Sequence, residues 1–242
     1  MTAPLFYVED VAGSVLRIDG PEGHHAAVVR RLQVGERADV GDGRGSVAEC
    51  VVAAVERAVV VLDVVGRRSA PVPGPRLVVV QALAKGDRAE DAVEAMTEVG
   101  VDEIVPWAAA RSIARWDGAR CAKAIARWRA TAREAGKQSR RPWLPDVSEL
   151  ASTRDVFARL AAASLGVVLH ESATTPVAGL SVPPVGDVVV VVGPEGGLTD
   201  DELTAFAAAG ASSYRLGSSV LRTSTAGVAA AAVLLAASGR WS

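Results

Sequence analysis

The rhythm of apolar and polar positions changes once along this chain. Up to about residue 65 the apolar positions come in short runs, "ERADVGDG", "SVAECVVAAV" and "AVVVLDVV", with Gly41, Gly43 and Gly45 at a turn. Short runs of this kind punctuated by glycine predict β-strands. One short helix is expected at "HHAAVVRRL". A small barrel or sandwich accounts for this part. "GRRSAPVPGP", residues 66–75, carries three prolines and two glycines and reads as a linker, because such a stretch sustains neither a helix nor a central strand. Beyond it, continuous apolar runs alternate with helical segments. The runs are "RLVVVQAL", "DEIVPW", "GVVLH", "DVVVVVG" and "SYRLG"; the helices start near Asp87, Gly118, Thr153, Thr199 and Thr223. Apolar strands separated by helices predict an α/β domain with a mainly parallel sheet covered on both faces. The expected division is a β domain over 1–70, a linker over 71–75 and an α/β domain over 76–242. Ligands bind such sheets beyond the carboxyl ends of the strands, where His170, Gly193 and Gly217 fall.

Composition narrows the class. Half of the 242 residues are hydrophobic and the formal net charge is −2, enough chain for a substantial core and no general polycation. The two cysteines, Cys50 and Cys121, form neither a disulfide framework nor a metal-ligand spacing. No metal site is expected. The N-terminus lacks the pattern of a signal peptide, and the run "GVAAAAVLLAASG" is about a dozen residues where a spanning helix needs roughly 20. A cytoplasmic protein is expected.

Charge is uneven. From Arg111 to Arg141 ten basic residues face two acidic ones, a net charge of +8 in a chain whose total is −2. Cys121, Ile125, Trp128 and Ala132 make one helical stripe and should be buried. The basic remainder suits nucleic-acid phosphates, whose contacts give affinity that falls with salt; a solvated helix face is the alternative. Arg129, Arg133, Lys137, Arg140 and Arg141 are the candidates here, and Arg30 and Arg31 add a second patch in the first domain. His24 and His25 have no partner pattern for nucleophilic catalysis and read as structural or RNA-contacting.

The sharpest local signal is "DVVVVVGPEGGLTDDEL", residues 187–203. A buried strand runs into Gly193, Pro194, Glu195, Gly196 and Gly197. The turn matches neither G-x-G-x-x-G nor G-x-x-x-x-G-K-[ST], so the two usual phosphate cradles fail on spacing. Charge opposes them too. Thr199 and Glu202 form a capping box, the acids occupy the positive end of the helix, and Glu195 adds another negative charge. A ligand without phosphate and with positive charge fits better, and S-adenosylmethionine has both properties. A plain strand-to-helix connection is the alternative. "YRLGSSVLRTSTA", residues 214–226, repeats the scheme of strand, glycine turn and helix start.

"GPEGGLTDDE" followed by "LGSSVLRTSTA" resembles the paired motifs of the RsmE-type 16S ribosomal RNA uridine N3-methyltransferases of the SPOUT superfamily. "GHHAAVVRRLQVGE", "QALAKGDRAEDAVEAMTEVGVDEIVPW" with its lysine at a strand end, and "KQSRRPWLP" resemble further family segments, so the likeness spans nearly the whole chain. It implies an N-terminal PUA-like β-barrel that binds RNA, a C-terminal trefoil-knotted α/β domain and a homodimer through that domain. It implies S-adenosyl-L-methionine as cofactor and 16S rRNA or the small ribosomal subunit as partner. The implied pocket comprises Leu169, His170, Glu171, Gly193, Glu195, Gly196, Leu216, Gly217, Leu221 and Arg222. Arg222 is the candidate to stabilise a developing uracil anion, with Glu171 or His170 to accept the proton. Three positions depart from the family pattern: Ser224 stands where a glutamate is usual, Lys137 likewise, and Arg140 replaces a small residue. Two alternatives remain at this point, a knotted ribose 2′-O-methyltransferase and an RNA-binding module without activity.

Overall fold

In the computed structural model the described residues are 3–84, 86 and 88–241, in two compact units: 1–72 with 136–144, and 73–135 with 145–242.

The first unit holds β1 (Leu5–Tyr7), β2 (Val15–Ile18), β3 (Arg37–Gly41), β4 (Ser46–Glu56) and β5 (Val59–Ser69) in one sheet, ordered β1-β3-β4-β5-β2. All pairs are antiparallel except β1 with β3. Helix α1 (Gly20–His24) follows β2 and continues as a π-helical turn, His25–Val29. The expected helix is therefore present but begins earlier, with Pro21 in its first turn, and stops at Val29. Phe6, Ile18, Ala38, Val40, Val52, Val60 and Leu62 build the core. The proline- and glycine-rich stretch 66–75 overlaps β5, which ends at Ser69, before the expected linker over 71–75. Gly66–Ser69 extend β5 and pair with Ser46–Glu49, because the ladder continues along β4 wherever backbone partners are available. The short strands β1 and β2 carried no legible alternation.

The segment 136–144, which the sequence division assigns to the second domain, belongs to the first unit. It groups with the first because Gly45 donates to the Pro142 carbonyl (2.9 Å), Leu144 donates to the Gly43 carbonyl (2.9 Å) and Tyr7 Oη donates to the Arg141 carbonyl (2.6 Å). Leu5, Tyr7 and Val47, with Leu144 packed against them, form a small cluster of their own. Gly43 and Gly45 take positive φ, and a side chain on Gly45 would strike the Trp143 ring at 2.7 Å.

The second unit contains β6 (Arg76–Ala82), α2 (Arg88–Val99), β7 (Glu103–Trp107), most of α3 (Ala119–Gln138), β8 (Asp146–Val147), α4 (Thr153–Ala162), β9 (Leu165–Leu169), β10 (Asp187–Val192), α5 (Asp200–Ala208), β11 (Ser212–Tyr214) and α6 (Thr223–Ala237). All six strands are parallel, in the order β11-β9-β10-β6-β7-β8. The expected start near Asp87, and the family-like lysine at position 85, lie outside the described residues. Alternate strand residues face opposite layers. Leu77 and Val79 of β6 join α2, α3 and α6 through Met96, Trp128 and Leu234, whereas Val78 and Val80 join α4 and α5 through Leu160 and Phe206. Ile125, Trp128 and Ala132 are buried as their spacing predicted, and Cys121 is partly covered. Helix α4 starts at a capping box in which Ser152 hydrogen bonds hold the Asp155 carboxyl below its usual range. No helix among the described residues is long and apolar enough to cross a membrane.

Candidate functional site

The carboxyl ends of β9, β10 and β11 open into one cavity of about 550 Å³. Its size lies within the range of pockets that hold small ligands. The loop after β9 contributes Leu169, His170 and Glu171; the turn after β10 contributes Gly193 through Leu198; the loop after β11 contributes Arg215 through Arg222. All ten pocket residues expected from the sequence line this cavity.

The shape of the glycine turn follows from close approaches. A side chain on Gly193 would meet Leu198 at 3.1 Å, and one on Gly196 would meet Arg111 Cβ at 3.1 Å and its carbonyl oxygen at 3.2 Å. Gly197 has φ of 73°, a conformation that favours glycine. Arg111 Nη1 clamps the turn by donating to the Gly196 carbonyl (3.3 Å) and the Leu198 carbonyl (3.1 Å). Nothing local in the sequence pairs Arg111 with a turn 85 residues away. In sequence it belongs to the basic segment; in the folded chain it serves the pocket wall.

The acids after the turn divide into two kinds. Glu202 is buried. Its Oε2 accepts from the Thr199 N–H (2.9 Å), its Oε1 accepts from the Ala110 N–H (2.9 Å), and its own N–H bonds the Thr199 hydroxyl. It is a structural cap. Asp200 and Asp201 are exposed at the start of α5. Glu171 and Glu195 line the cavity, and neither carboxylate has a side-chain partner among the described residues.

His170 is oriented by Ser172, whose backbone N–H donates to Nδ1 at 3.3 Å while the hydroxyl lies 2.8 Å from the same atom. With Nδ1 accepting, the proton of the neutral ring sits on Nε2. Arg222 stands at the N-cap position of α6 and lines the cavity. Thr223 ties the helix start to the turn, its hydroxyl donating to the Gly193 carbonyl at 3.1 Å. Arg88 from α2 also lines the cavity, as do Tyr214 and Ser224. No local pattern in the sequence marks Arg88, Arg111 or Thr223 as pocket residues. Arg88 lay inside a family-like segment, and that was its one available signal.

The expected RNA-contacting residues do not share one environment. Arg30, Arg31 and Arg140 are exposed, the last two with φ of 55°. Arg141 is partly covered. Arg129 is exposed but engaged, donating to the Val147 carbonyl (3.0 Å) and to Glu149 (2.8 Å). Arg133 is partly covered. Lys137 is a correction. Its side chain is only 6% exposed and its Nζ lies 3.1 Å from Glu22 Oε2, so it faces inward and offers no charge to a phosphate. Glu22 Oε1 accepts from the Tyr7 N–H, which makes Lys137 part of a buried anchor. His24 is exposed, and His25 meets Phe6 edge to face at 6.2 Å.

Residues 72–235 match the family described as RNA methyltransferase domain, and residues 18–63 match the RNA methyltransferase PUA domain. The fold and the cavity thus define an RNA methyltransferase in which a PUA unit accompanies a parallel α/β unit. The chain is 44% identical to the Mycobacterium tuberculosis ribosomal RNA small subunit methyltransferase E, with all of this chain and 94% of that protein covered. It is 30% identical to the Bacillus subtilis protein of the same name, over 86% of this chain and 85% of that one. Among solved structures, the Neisseria gonorrhoeae ribosomal RNA small subunit methyltransferase E bound to S-adenosylmethionine superposes with a TM-score of 0.87 at 25% identity, covering 97% of this chain and 98% of that one. A methyltransferase from Legionella pneumophila in complex with the same cofactor gives 0.86 at 28% identity, covering 98% of each chain. The chain belongs to the ribosomal RNA small subunit methyltransferase E family.

Proposed function

We propose that this protein transfers a methyl group from S-adenosyl-L-methionine to N3 of a uridine in the 16S RNA of the small ribosomal subunit. The observation that carries the reading is the convergence of three separate loops, after β9, β10 and β11, on one cavity beyond the strand ends. The residues present fit the cofactor. Gly217, with open space where a side chain would stand, leaves backbone bare for an adenosine, and the unpaired carboxylate of Glu195 suits its cationic groups. When bound, the cofactor supplies an electrophilic methyl group.

The protein must then manage the acceptor. N3 lies on the pairing edge of uracil, so the target base enters unpaired or splayed from its stack. Arg222, free of side-chain partners among the described residues, supplies a cation to a uracil oxygen as negative charge develops. Glu171 is the better acceptor for the N3 proton, because the accepting nitrogen of His170 is already engaged by Ser172.

The working form is a homodimer joined through α6. This helix has no charged residue, and Thr225, Val228, Ala229, Ala232, Val233 and Ala236 form a stripe that the core leaves partly or fully exposed. We assign to the second unit the trefoil knot that its family resemblance implies, to the first unit an RNA-binding role and to the protein a cytoplasmic location.

Calorimetry with S-adenosyl-L-methionine, followed by nucleoside analysis of small-subunit RNA after incubation with both, tests the reading. Binding and the appearance of 3-methyluridine are expected. A methylated ribose in its place, or no binding of the cofactor, overturns it.

A further inference from the structure

The cavity holds more positive charge than its proposed cofactor can use. Four arginines line it, Arg88, Arg111, Arg215 and Arg222, against two carboxylates, Glu171 and Glu195. Arg111 is committed to the carbonyls of Gly196 and Leu198. The guanidinium groups of Arg88 and Arg215 have no hydrogen bond or ion pair among the described residues, and both residues are exposed. S-adenosylmethionine bears two cations and one carboxylate, so it brings net positive charge of its own. Its carboxylate can neutralise one guanidinium at most. The remaining excess calls for an anion that arrives with the acceptor.

Placement says which anion. Arg88 opens α2, after β6, and Arg215 follows β11. In the sheet order β11-β9-β10-β6, these two strands flank the β9 and β10 ends that carry the pocket floor. Strands lie about 4.8 Å apart, so the ends of β11 and β6 are separated by roughly 14 Å; Arg215 directly follows the first, and Arg88 opens the helix that comes after the second. A nucleotide lowered into the cavity enters between them, and its chain leaves on both sides as phosphodiester.

We propose that Arg88 and Arg215 are paired RNA-phosphate contacts that grip the backbone on either side of the target nucleotide. This inference rests on the methyltransferase reading above. It separates the duties of the cavity arginines: Arg111 shapes the turn, Arg222 faces the base, and Arg88 and Arg215 hold the strand. Their grip fixes how deeply the base is presented while leaving its sequence unread, since phosphate contacts position a strand without reading it.

The test uses the full chain and a fluorescein-labelled single-stranded RNA of a dozen nucleotides with one central uridine. Anisotropy across a salt series is measured for the wild type, for Arg88→Ala with Arg215→Ala, and for Arg88→Lys with Arg215→Lys. The alanine pair is expected to flatten the salt dependence by about 0.7 log units for each lost contact, and the lysine pair to retain the wild-type slope. Calorimetry on the same proteins is expected to give S-adenosylmethionine affinity unchanged within about twofold, a shift worth less than the roughly 1.4 kcal/mol of a tenfold change. An unaltered salt slope in the alanine pair, or no RNA binding by the wild type at the lowest salt, overturns the proposal. So does a loss of cofactor affinity in the alanine pair, which would reassign the arginines to the cofactor carboxylate. Failure of the wild type to bind S-adenosylmethionine would instead sink the methyltransferase reading, and the RNA arm would still report on the arginines.

Discussion

The Thr223 hydroxyl donates to the carbonyl of Gly193 at 3.1 Å, joining the first turn of α6 to the end of β10. The buried side chain of Gln81, in β6, completes the link by donating through Nε2 to the Thr223 carbonyl at 3.2 Å. One side of the cavity is thus fixed to two strands by two hydrogen bonds. Thr223→Val keeps the shape and removes the donor, leaving the Gly193 carbonyl without it. A stability loss of about 1–3 kcal/mol is expected, with weakened S-adenosylmethionine binding. Thr223→Ser should restore both. Chemical denaturation and calorimetry on the two variants check this, and a valine variant with wild-type affinity would show that the link does not set the pocket.

Arg222→Ala should leave RNA affinity nearly intact and slow turnover. If its guanidinium stabilises the uracil anion, single-turnover methylation with both substrates saturating should fall by about 100-fold or more. A loss seen only in apparent RNA affinity would move Arg222 from the chemistry to binding.

Lys137, 6% exposed, and Glu22, 14% exposed, form a largely covered pair within the first unit, where α3 ends. Lys137→Ala leaves the Glu22 carboxylate with only the Tyr7 N–H as a partner among the described residues, and a loss of about 1–3 kcal/mol is expected. Replacing both residues with apolar ones should recover much of that. Urea unfolding of the single and double variants provides the comparison. The salt slope of RNA binding should not change in the double variant, because this lysine does not face solvent.

Val233 and Ala229 lie on the uncharged stripe of α6. Val233→Glu places a charge where the proposed dimer has its apolar contact, and symmetry would place two such charges in one interface. Sedimentation at micromolar concentration should show a dimer for the wild type and a shift towards monomer for the variant. A wild-type monomer with full activity removes the dimer from the reading.

Burial pushes the Cys50 thiol up from its ordinary 9.0 to about 11, and the nearby Asp39 carboxylate adds to the effect. Between those values the folded thiol keeps a proton that the unfolded chain has released. Its contribution to stability is therefore complete below pH 9.0 and declines as pH rises towards about 11. Denaturation midpoints should drop across that window, and less so in Cys50→Ala. Iodoacetamide at pH 8 should modify Cys121, which is partly exposed, well before Cys50, as mass spectrometry of the native protein would show.

The sequence by itself determined the elements and the loops that matter. Five β-branched valines in a row, ended by a glycine turn, read as a strand buried on both faces, and Val188–Val192 lie in that strand. Thr199 with Glu202 is a helix start legible at four residues' range, because a capping box is closed by local hydrogen bonds. Family-like motifs then named the pocket residues, which local chemistry alone would have left as glycine turns. What only the tertiary structure decided are the long-range partners. Arg111 and Lys137 read alike in the chain, two bases in one basic segment. Folding aims the first at the carbonyls of Gly196 and Leu198 and buries the second against Glu22, 115 residues away. Such assignments depend on which strands become neighbours and where each helix ends. Periodicity fixes the face of an element, but the partner on that face is chosen by packing across the whole chain.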